Sequence, residues 1–137
     1  MSPVTTHDLD IAAKTVWGEA RGEGDLGMLA VACVLVNRAK LKDAHLADVC
    51  LKPFQFSCWN EVDTNKPKIE SLTPDDSFYR QAMISVLQAI DRAGSDKDPS
   101  RGATHYATIT ARPWWADKME MCATIYHHMF FKEKDSK

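Results

Sequence analysis

The feature that most constrains the fold is an apolar run from Met28 to Val36 that contains no polar residue. A helix that is apolar on all sides is a buried one, so the run predicts a central helix from Leu26 to about Lys40 that Asp25 caps. The β-branched valines in the run leave a buried strand as the alternative. The length of the segment and the position of Asp25 favour the helix.

Size and composition are those of one globular domain. The chain has 137 residues, of which 45% are hydrophobic and 26% charged, and this is enough for one buried core. We expect a single domain over residues 1–137, with a flexible tail at 132–137. The net charge is −2 and the lysines and arginines are scattered, so the composition gives no case for binding nucleic acid or an anionic membrane.

The segments around the central run predict further helices and a small sheet. Amphipathic spacing indicates a helix over 7–20 with Thr6 as its cap. The segment 124–131 fits a helix or a strand, and a strand paired with 103–110 is favoured. The remaining predictions are a short helix or turn over 41–51 and a long loop over 60–71. The expected fold is therefore α+β, mainly helical, with a small antiparallel β element.

Another helix is predicted where Thr73 is followed by Pro74 and two acidic residues, the pattern of a helix start. It should run from Pro74 to about Ala93. The residues of its expected apolar face are Phe78, Met83 (or Ala82), Val86, Leu87 and Ile90.

Four cysteines are present, and they fit reduced, mostly buried thiols in a protein made in the cytoplasm. A zinc site is the alternative. The chain has no C-x2-C or H-x3-H pair, so the thiol interpretation is favoured and no metal or other cofactor is expected. The possible zinc ligands are His45, Cys50, Cys58 and His105.

The first residues have neither a basic start nor an apolar segment of the kind that a signal peptide contains. The longest apolar run is also much shorter than the roughly 20 residues that a membrane span needs. We therefore expect a chain made in the cytoplasm with no export route of its own.

Glu19 lies where the helix over 7–20 should end, among Gly18, Gly22 and Gly24. Glu23 follows it at the i, i+4 spacing, so a continued helix would place both carboxylates on one face. Like charges at that distance raise a pKa, as burial does, and a raised pKa suits a general acid near neutral pH. Two solvated surface glutamates are the alternative.

Aromatic and neutral polar side chains provide candidates for ligand binding. Trp59, Trp114 and Trp115 could stack on sugar rings or belong to the core. His105 and Tyr106 could donate hydrogen bonds to a substrate or pack at a sheet edge. Gln55 and Ser57 add neutral polar groups beside aromatic residues.

Several of these residues stand in motifs that resemble the SleB/CwlJ-type cell wall hydrolases. The resemblance begins with V-W-G-E-A-R-G-E at 16–23 and spans almost the whole chain. A difference is that the family often has a glycine before the last histidine-containing strand, where this sequence has Tyr126 and His127. The other matching segments are 30–32, 36–38, 49–50, 55–59, 103–106, 113–116 and 128–131.

The resemblance implies a lysozyme-like domain that cleaves the glycan strands of peptidoglycan. It implies that Glu19, the first glutamate of the G-E-x-R-G-E signature, is the catalytic acid, with Arg21 and Glu23 in supporting roles. The expected substrate-binding residues are Gln55, Ser57, Trp59, His105, Tyr106 and Trp115.

In the expected reaction, Glu19 protonates the glycosidic oxygen between N-acetylmuramic acid and N-acetylglucosamine. A hydrolase (a muramidase) usually needs a second carboxylate. A lytic transglycosylase needs only one, because the muramoyl 6-hydroxyl attacks internally. No second carboxylate has a distinctive motif, so the transglycosylase is slightly favoured. The candidates for a second carboxylate are Asp25, Asp48, Glu61, Asp63 and Asp117.

A lone catalytic domain without an export signal resembles a bacteriophage endolysin, which acts in the periplasm and needs a holin for access. We expect a monomer whose partner is peptidoglycan. A virion-carried or host remodelling enzyme is a second setting for the same chemistry. The alternatives of another class are a non-catalytic peptidoglycan-binding module on the same fold and a zinc-dependent amidase.

Overall fold

The computed structural model describes residues 1–52, 56–60, 63, 65–111 and 113–134. Most of the secondary structure is helical, and a small antiparallel sheet follows the helices in the chain, as predicted. The elements are α1 (Thr6–Ala20), α2 (Gly24–Lys42), α3 (Leu46–Leu51), α4 (Lys66–Glu70), α5 (Ser77–Arg92), β1 (His105–Thr108), β2 (Met119–Ile125) and β3 (His128–Glu133), with short 3-10 turns at Ser57–Trp59 and Ala116–Lys118. Among the described helices, none is both long and apolar enough to cross a bilayer.

Helix α2 is the centre of the core. Every residue from Met28 to Val36 is buried, and α1 and α5 pack against the helix. The prediction of a buried central helix is confirmed. The cap was wrong, because α2 begins at Gly24 and Asp25 lies inside its first turn. Gly24 has a φ of +73°, so a glycine provides the sharp entry into the helix.

Helix α1 begins with a capping box. The Thr5 side chain accepts a hydrogen bond from the Asp8 backbone N–H (3.1 Å), and the Asp8 carboxylate accepts one from the Thr5 N–H (2.9 Å). The predicted cap at Thr6 was therefore one residue late. Asp8 is buried because its other oxygen accepts from the Ala47 N–H in α3 (2.9 Å).

Two predictions between 60 and 93 need correction. The predicted loop over 60–71 contains α4, which has Pro67 in its first turn and a fully buried Ile69. Helix α5 starts later than predicted, because Asp76 rather than Thr73 caps it by accepting from the Tyr79 N–H. The same Asp76 oxygen also accepts from the indole N–H of Trp17 at 3.2 Å, which fixes the start of α5 against α1.

The buried face of α5 is made largely of small residues. Phe78 and Leu87, predicted on the apolar face, are half-exposed. Alanines let α5 approach α1 and α2 closely, so its large apolar residues are displaced to the edges of the contact. The buried residues of the helix are Tyr79, Ala82, Ser85, Val86 and Ala89.

The sheet has the order β1-β3-β2 with antiparallel neighbours. The predicted pairing of the last strand with 103–110 is confirmed, and Tyr106 lies opposite Phe130. The predicted bounds of that strand, 124–131, were wrong, because β3 begins only at His128 and continues to Glu133, into the segment predicted as a flexible tail. Strand β2 was missed. Its register shifts between Met121 and Ala123, and this irregularity breaks the two-residue alternation by which a strand is recognised.

Polar groups at the end of α2 hold the start of β1. The Asn37 amide donates to Asp98 and to the Ala103 carbonyl, both at 3.0 Å. The Arg38 Nε donates to the Thr104 carbonyl. The loop before β1 is thereby fixed to the most buried helix, and β1 is presented beside the end of α1.

Glu23 joins the junction of α1 and α2 to the turn between β2 and β3. Its carboxylate is buried and accepts from the His127 backbone N–H (3.0 Å) and from His127 Nδ1 (2.8 Å). His128 Nδ1 lies 2.8 Å from the same carboxylate. Burial raises the pKa of Glu23, but the His127 hydrogen bonds and the nearby histidine charges outweigh it and hold the pKa below its usual value.

Tyr126 occupies the first position of this two-residue turn with a φ of +52°. A positive φ at this position is favoured for glycine, the residue that the related sequences were expected to have here. Tyr126 therefore holds a strained backbone, while its ring is largely exposed.

We predict that Tyr126→Gly is more stable than Tyr126→Ala by about 1 kcal/mol, because alanine keeps the left-handed strain and glycine removes it. Both variants lose the ring, so the comparison isolates the backbone. Chemical denaturation measures the difference. At a position with negative φ the order is reversed, since Gly→Ala usually stabilises there, and that order would contradict the strain.

We predict that Glu23→Gln lowers the free energy of unfolding at neutral pH by about 1–3 kcal/mol, because a buried, hydrogen-bonded charge is lost. The pKa of Glu23 is depressed in the folded protein. Its stabilisation is therefore present above the unfolded pKa of about 4.3 and is lost as the pH falls through the folded value.

We would measure denaturation curves of wild type and Glu23→Gln over a pH series. The free energies of unfolding of the two proteins should become equal at acidic pH. Glu120→Gln makes the same chemical change at an exposed position of β2 and should have little effect. A wild-type advantage that does not shrink under acid conditions would contradict the role given to the Glu23 charge.

Candidate active site

Glu19 lies in the last turn of α1 and is joined to the sheet by a short hydrogen bond. The Tyr106 hydroxyl, from β1, donates to Glu19 Oε1 at 2.6 Å. The bond connects the helical core with the strand that the α2 end holds in place. It therefore fixes the orientation of the Glu19 carboxyl.

Gly18 allows a second segment to approach Glu19. A Cβ added at Gly18 would lie 2.6 Å from the Cys58 Cβ, so a larger residue would displace the 3-10 turn Ser57–Trp59. A Cβ at Gly22 would meet nothing within 4 Å. Of these two glycines, only Gly18 is required for close packing.

The pKa of Glu19 is raised above its ordinary value. Burial is the largest cause, and the negative charge of Asp63 adds to it. The hydrogen bonds from Tyr106 and Cys58 act in the opposite direction without cancelling it. Glu19 therefore keeps its proton to a higher pH than a solvated glutamate does, which is the property of a general acid.

Of the two causes of a raised pKa that the sequence suggested, burial acts on Glu19 and the charge of Glu23 does not. The sequence argument placed the Glu23 charge on the same helical face, but α1 ends at Ala20 and Glu23 is bound to His127 and His128. The two glutamates have opposite pKa shifts, because Glu19 is desolvated and Glu23 is surrounded by donors and positive charge.

Tyr106 is held in an aromatic environment. The nearest ring centroids are those of His128 (5.1 Å), Phe130 (6.0 Å) and Phe56 (6.4 Å). Burial and the neighbouring Glu19 charge raise the pKa of Tyr106 well above 10. Its hydroxyl therefore stays protonated and remains a donor to Glu19.

Glu19 borders two cavities. The aromatic cavity, about 370 Å³, is bounded by Glu19, Arg38, Phe56, His105, Tyr106, Trp114 and Trp115. The histidine cavity, about 390 Å³, is bounded by residues 18–23, Thr108, His127 and His128. A ligand that spans both cavities would contact Glu19.

Three predicted binding residues meet at the aromatic cavity. His105, Tyr106 and Trp115 all contribute to its wall. The rings of His105 and Trp115 are 5.3 Å apart, and Trp115 packs edge-on against Phe131 at the same distance. Burial lowers the pKa of His105, and the charge of Arg38 does so further. His105 therefore favours its neutral form there.

Other predicted residues lie elsewhere or serve the fold. Trp59 donates from its indole to Thr15 Oγ1 at 2.8 Å, packs against the core and lines neither cavity. Its predicted role in substrate binding is not supported by this position. Arg21 stacks over Trp17 at 3.9 Å and also borders the histidine cavity. Gln55 and the side chain of Ser57 lie outside the described part of the chain.

Sequence reasoning missed other residues of the two cavities. Arg38 was recognised only as a polar end of the apolar run, and Phe56 only as part of a motif. His128 was also recognised only as part of a motif, and His127 was not proposed, although two adjacent histidines after a β-branched segment were a visible signal. Within the described ranges, no group of three His, Cys, Asp or Glu side chains is arranged to hold a metal, so the four possible zinc ligands do not form a cluster there.

Solved structures match the whole described architecture. The catalytic domain of a germination-specific lytic transglycosylase, SleB, from Bacillus anthracis has a TM-score of 0.75 and 28% identity, over 96% of this chain and 99% of that one. The catalytic domain of the Bacillus cereus SleB protein has a TM-score of 0.74 and 29% identity, over 96% and 94%. The predicted lysozyme-like fold is confirmed by these matches.

Curated relatives match over most of this chain. A spore cortex-lytic enzyme of Halalkalibacterium halodurans is 31% identical over 90% of the chain and 34% of its own length. One of Bacillus subtilis is 28% identical over 80% of the chain and 33% of its own length. The chain thus spans about a third of the length of these relatives.

The sequence profile of the cell wall hydrolases matches residues 22–131, which is most of the chain. The resemblance drawn from the motifs is confirmed by this match and by the relatives. The chain belongs to the cell wall hydrolase family.

Proposed function

We propose that this protein is a lytic transglycosylase that cuts the glycan strands of peptidoglycan between N-acetylmuramic acid and N-acetylglucosamine, with Glu19 as the catalytic residue. The observation that carries the proposal is a half-buried carboxyl with a raised pKa, oriented by Tyr106 between two cavities. The solved structure from Bacillus anthracis bears that activity in its name. The role of Glu19 rests on geometry, because the family profile starts at residue 22.

The reaction needs one group that first gives and then takes a proton. Protonated Glu19 donates to the glycosidic oxygen, which leaves with the N-acetylglucosamine unit. The muramoyl 6-hydroxyl forms the new bond to C1, and its proton passes to the Glu19 carboxylate. The product has a 1,6-anhydro ring, water is not consumed, and Glu19 ends protonated again.

The hydrogen bond from Tyr106 makes the two carboxyl oxygens of Glu19 chemically different. Its hydroxyl donates to Oε1, and that oxygen is therefore an acceptor. The proton of the neutral acid is then placed on Oε2. Tyr106 acts as a positioning residue, because it determines which oxygen carries the proton that is transferred.

The aromatic cavity supplies groups that suit a sugar. Trp115 offers an aromatic ring, and neutral His105 can exchange hydrogen bonds with hydroxyl or acetamido groups. On the other side of Glu19, Glu23 and Arg21 support the wall of the histidine cavity. We assign a saccharide unit to each cavity.

Hydrolysis is the second candidate reaction, and one observation favours it. Asp63 is the only candidate for a second carboxylate among Asp25, Asp48, Asp63 and Asp117 whose charge acts on Glu19. Glu61 lies outside the described residues. A carboxylate near the acid could activate water, which would make the enzyme a muramidase.

The biological setting remains a prediction. Host lysis as a bacteriophage endolysin, with a holin for access, is the first setting to test. The relatives from Halalkalibacterium halodurans and Bacillus subtilis are named spore cortex-lytic enzymes. Both purified vegetative walls and purified spore cortex should therefore be tested as substrates in the product analysis.

We predict that wild type releases products with 1,6-anhydro ends and that Glu19→Gln reduces the rate roughly 100- to 10,000-fold, the contribution of a general acid. Mass spectrometry separates anhydro ends, which are one water lighter, from reducing ends. Glu120→Gln serves as the matched exposed control. Reducing ends at muramic acid would make the enzyme a muramidase, and tight binding without products would favour a non-catalytic binding module.

We predict that Tyr106→Phe moves the alkaline limb of the pH–rate profile to higher pH. The Tyr106 hydrogen bond lowers the pKa of Glu19, so its removal raises that pKa further and the acid stays protonated longer. The rate at the optimum should fall about 10-fold or more, because one hydrogen bond to a charged group is lost.

Tyr79→Phe is the matched control for this change. The Tyr79 hydroxyl donates to Asp10 at 2.6 Å, the same chemistry at a position away from both cavities. Its removal should leave the alkaline limb in place. An unmoved limb in Tyr106→Phe would mean that Glu19 is not the group whose protonation limits the rate.

A further inference from the structure

A third cavity lies beside β1, on the side away from the helical core. We call it the outer cavity. It measures about 420 Å³, and its wall includes Ile109, Trp114, Asp117 and Met129. It shares Trp114 with the aromatic cavity and Thr108 with the histidine cavity. The outer cavity therefore adjoins both of the cavities that Glu19 borders.

Trp114 is the most exposed large apolar side chain in the described part of the chain, with 79% of its surface accessible. The core does not need it, in contrast to Trp17, which is buried, and Trp59, which is hydrogen-bonded to Thr15. An exposed indole at the border of two cavities offers a flat apolar face to a ligand.

The chemistry around Trp114 suits a saccharide. A pyranose ring packs its C–H face on an indole, and its hydroxyl and acetamido groups need polar partners at the edge. Thr108 and Asp117 provide a hydroxyl and a carboxylate on the same cavity wall. The Lys118 ammonium lies over the Trp114 ring, 5.4 Å from its centre, and is a further donor near it.

We propose that the outer cavity is a further saccharide-binding site, in which Trp114 stacks on a sugar of the same glycan strand that Glu19 cuts. The inference rests on the proposed function. The occupant is the glycan strand because the outer cavity shares its border residues Trp114 and Thr108 with the cavities at Glu19, so a strand that leaves those cavities reaches it next. A strand long enough to reach Trp114 gains this contact, and a fragment that fills only the two inner cavities does not.

The test compares peptidoglycan strands of different length. We would measure kcat/KM on long glycan strands and on the shortest fragment that wild type cleaves, for wild type, Trp114→Ala and Trp114→Tyr. In Trp114→Ala, kcat/KM should fall about 10-fold more on long strands than on the short fragment. That difference corresponds to the loss of one stacking contact. Trp114→Tyr keeps an aromatic face and should recover most of that difference.

Phe78→Ala is the matched control, because Phe78 is another half-exposed aromatic residue, on α5. It should not distinguish long from short substrates. An equal loss on both substrates in Trp114→Ala would place Trp114 in the aromatic cavity alone and overturn the proposal. No loss on either substrate would also overturn it.

A binding measurement separates this proposal from the proposed reaction. In a Glu19→Gln background, calorimetry gives the dissociation constants of long and short strands without cleavage. Adding Trp114→Ala should weaken the binding of long strands about 10-fold. The difference in affinity between long and short strands should become smaller. Wild type could cleave no substrate while the Trp114 substitution still weakens the binding of long strands. In that case the proposed reaction fails and the saccharide site stands.

Discussion

The hydrogen bond between Tyr106 and Glu19 connects the two halves of the molecule at the point where chemistry is proposed. Its 2.6 Å length requires β1 to lie against the last turn of α1. That position depends on Asn37 and Arg38, which attach the segment before β1 to the end of α2. The buried helix therefore determines where the acid points, although it supplies no atom to the acid itself.

The α1–α2 junction gives two nearby glutamates opposite properties. Glu19 has lost water and gained one donor hydroxyl, and its pKa is raised. Glu23 has also lost water, but the hydrogen bonds from His127 and the charges of His127 and His128 outweigh that loss, and its pKa is lowered. Glu19 can therefore keep a proton and act as an acid, whereas the charged Glu23 carboxylate stabilises the turn between β2 and β3. The difference between the two pKa values comes from the groups that surround each carboxyl and not from its place in the sequence.

The sequence predicted the parts of the fold that depend on local pattern. The run from Met28 to Val36 predicted the central helix, and the pairing of β1 with β3 was predicted from the β-branched and aromatic residues of 103–110 and from the segment 124–131. Caps were displaced at Thr5 and Asp76, because several polar residues near a helix start can cap it and tertiary contacts select one. Strand β2 escaped recognition because its alternation is broken by a register shift.

The site was less predictable than the fold. A motif pointed to Glu19, His105, Tyr106 and Trp115, which the structure brings together. The same reasoning included Trp59, whose indole serves the core. It could not find His127, because its link to Glu23 joins residues more than 100 positions apart. Such contacts depend on how helices and sheet dock, and no local pattern encodes that.

Because Glu19 borders two cavities, a polymer bound as proposed above would occupy space on both sides of the carboxyl. An enzyme that can be reached only from one end of a polymer shortens it step by step. A carboxyl with space on both sides can engage a strand in its middle, and one such cut removes the tension that the strand carries. In a wall under turgor, the mechanical effect of each cut would then exceed its share of the mass released.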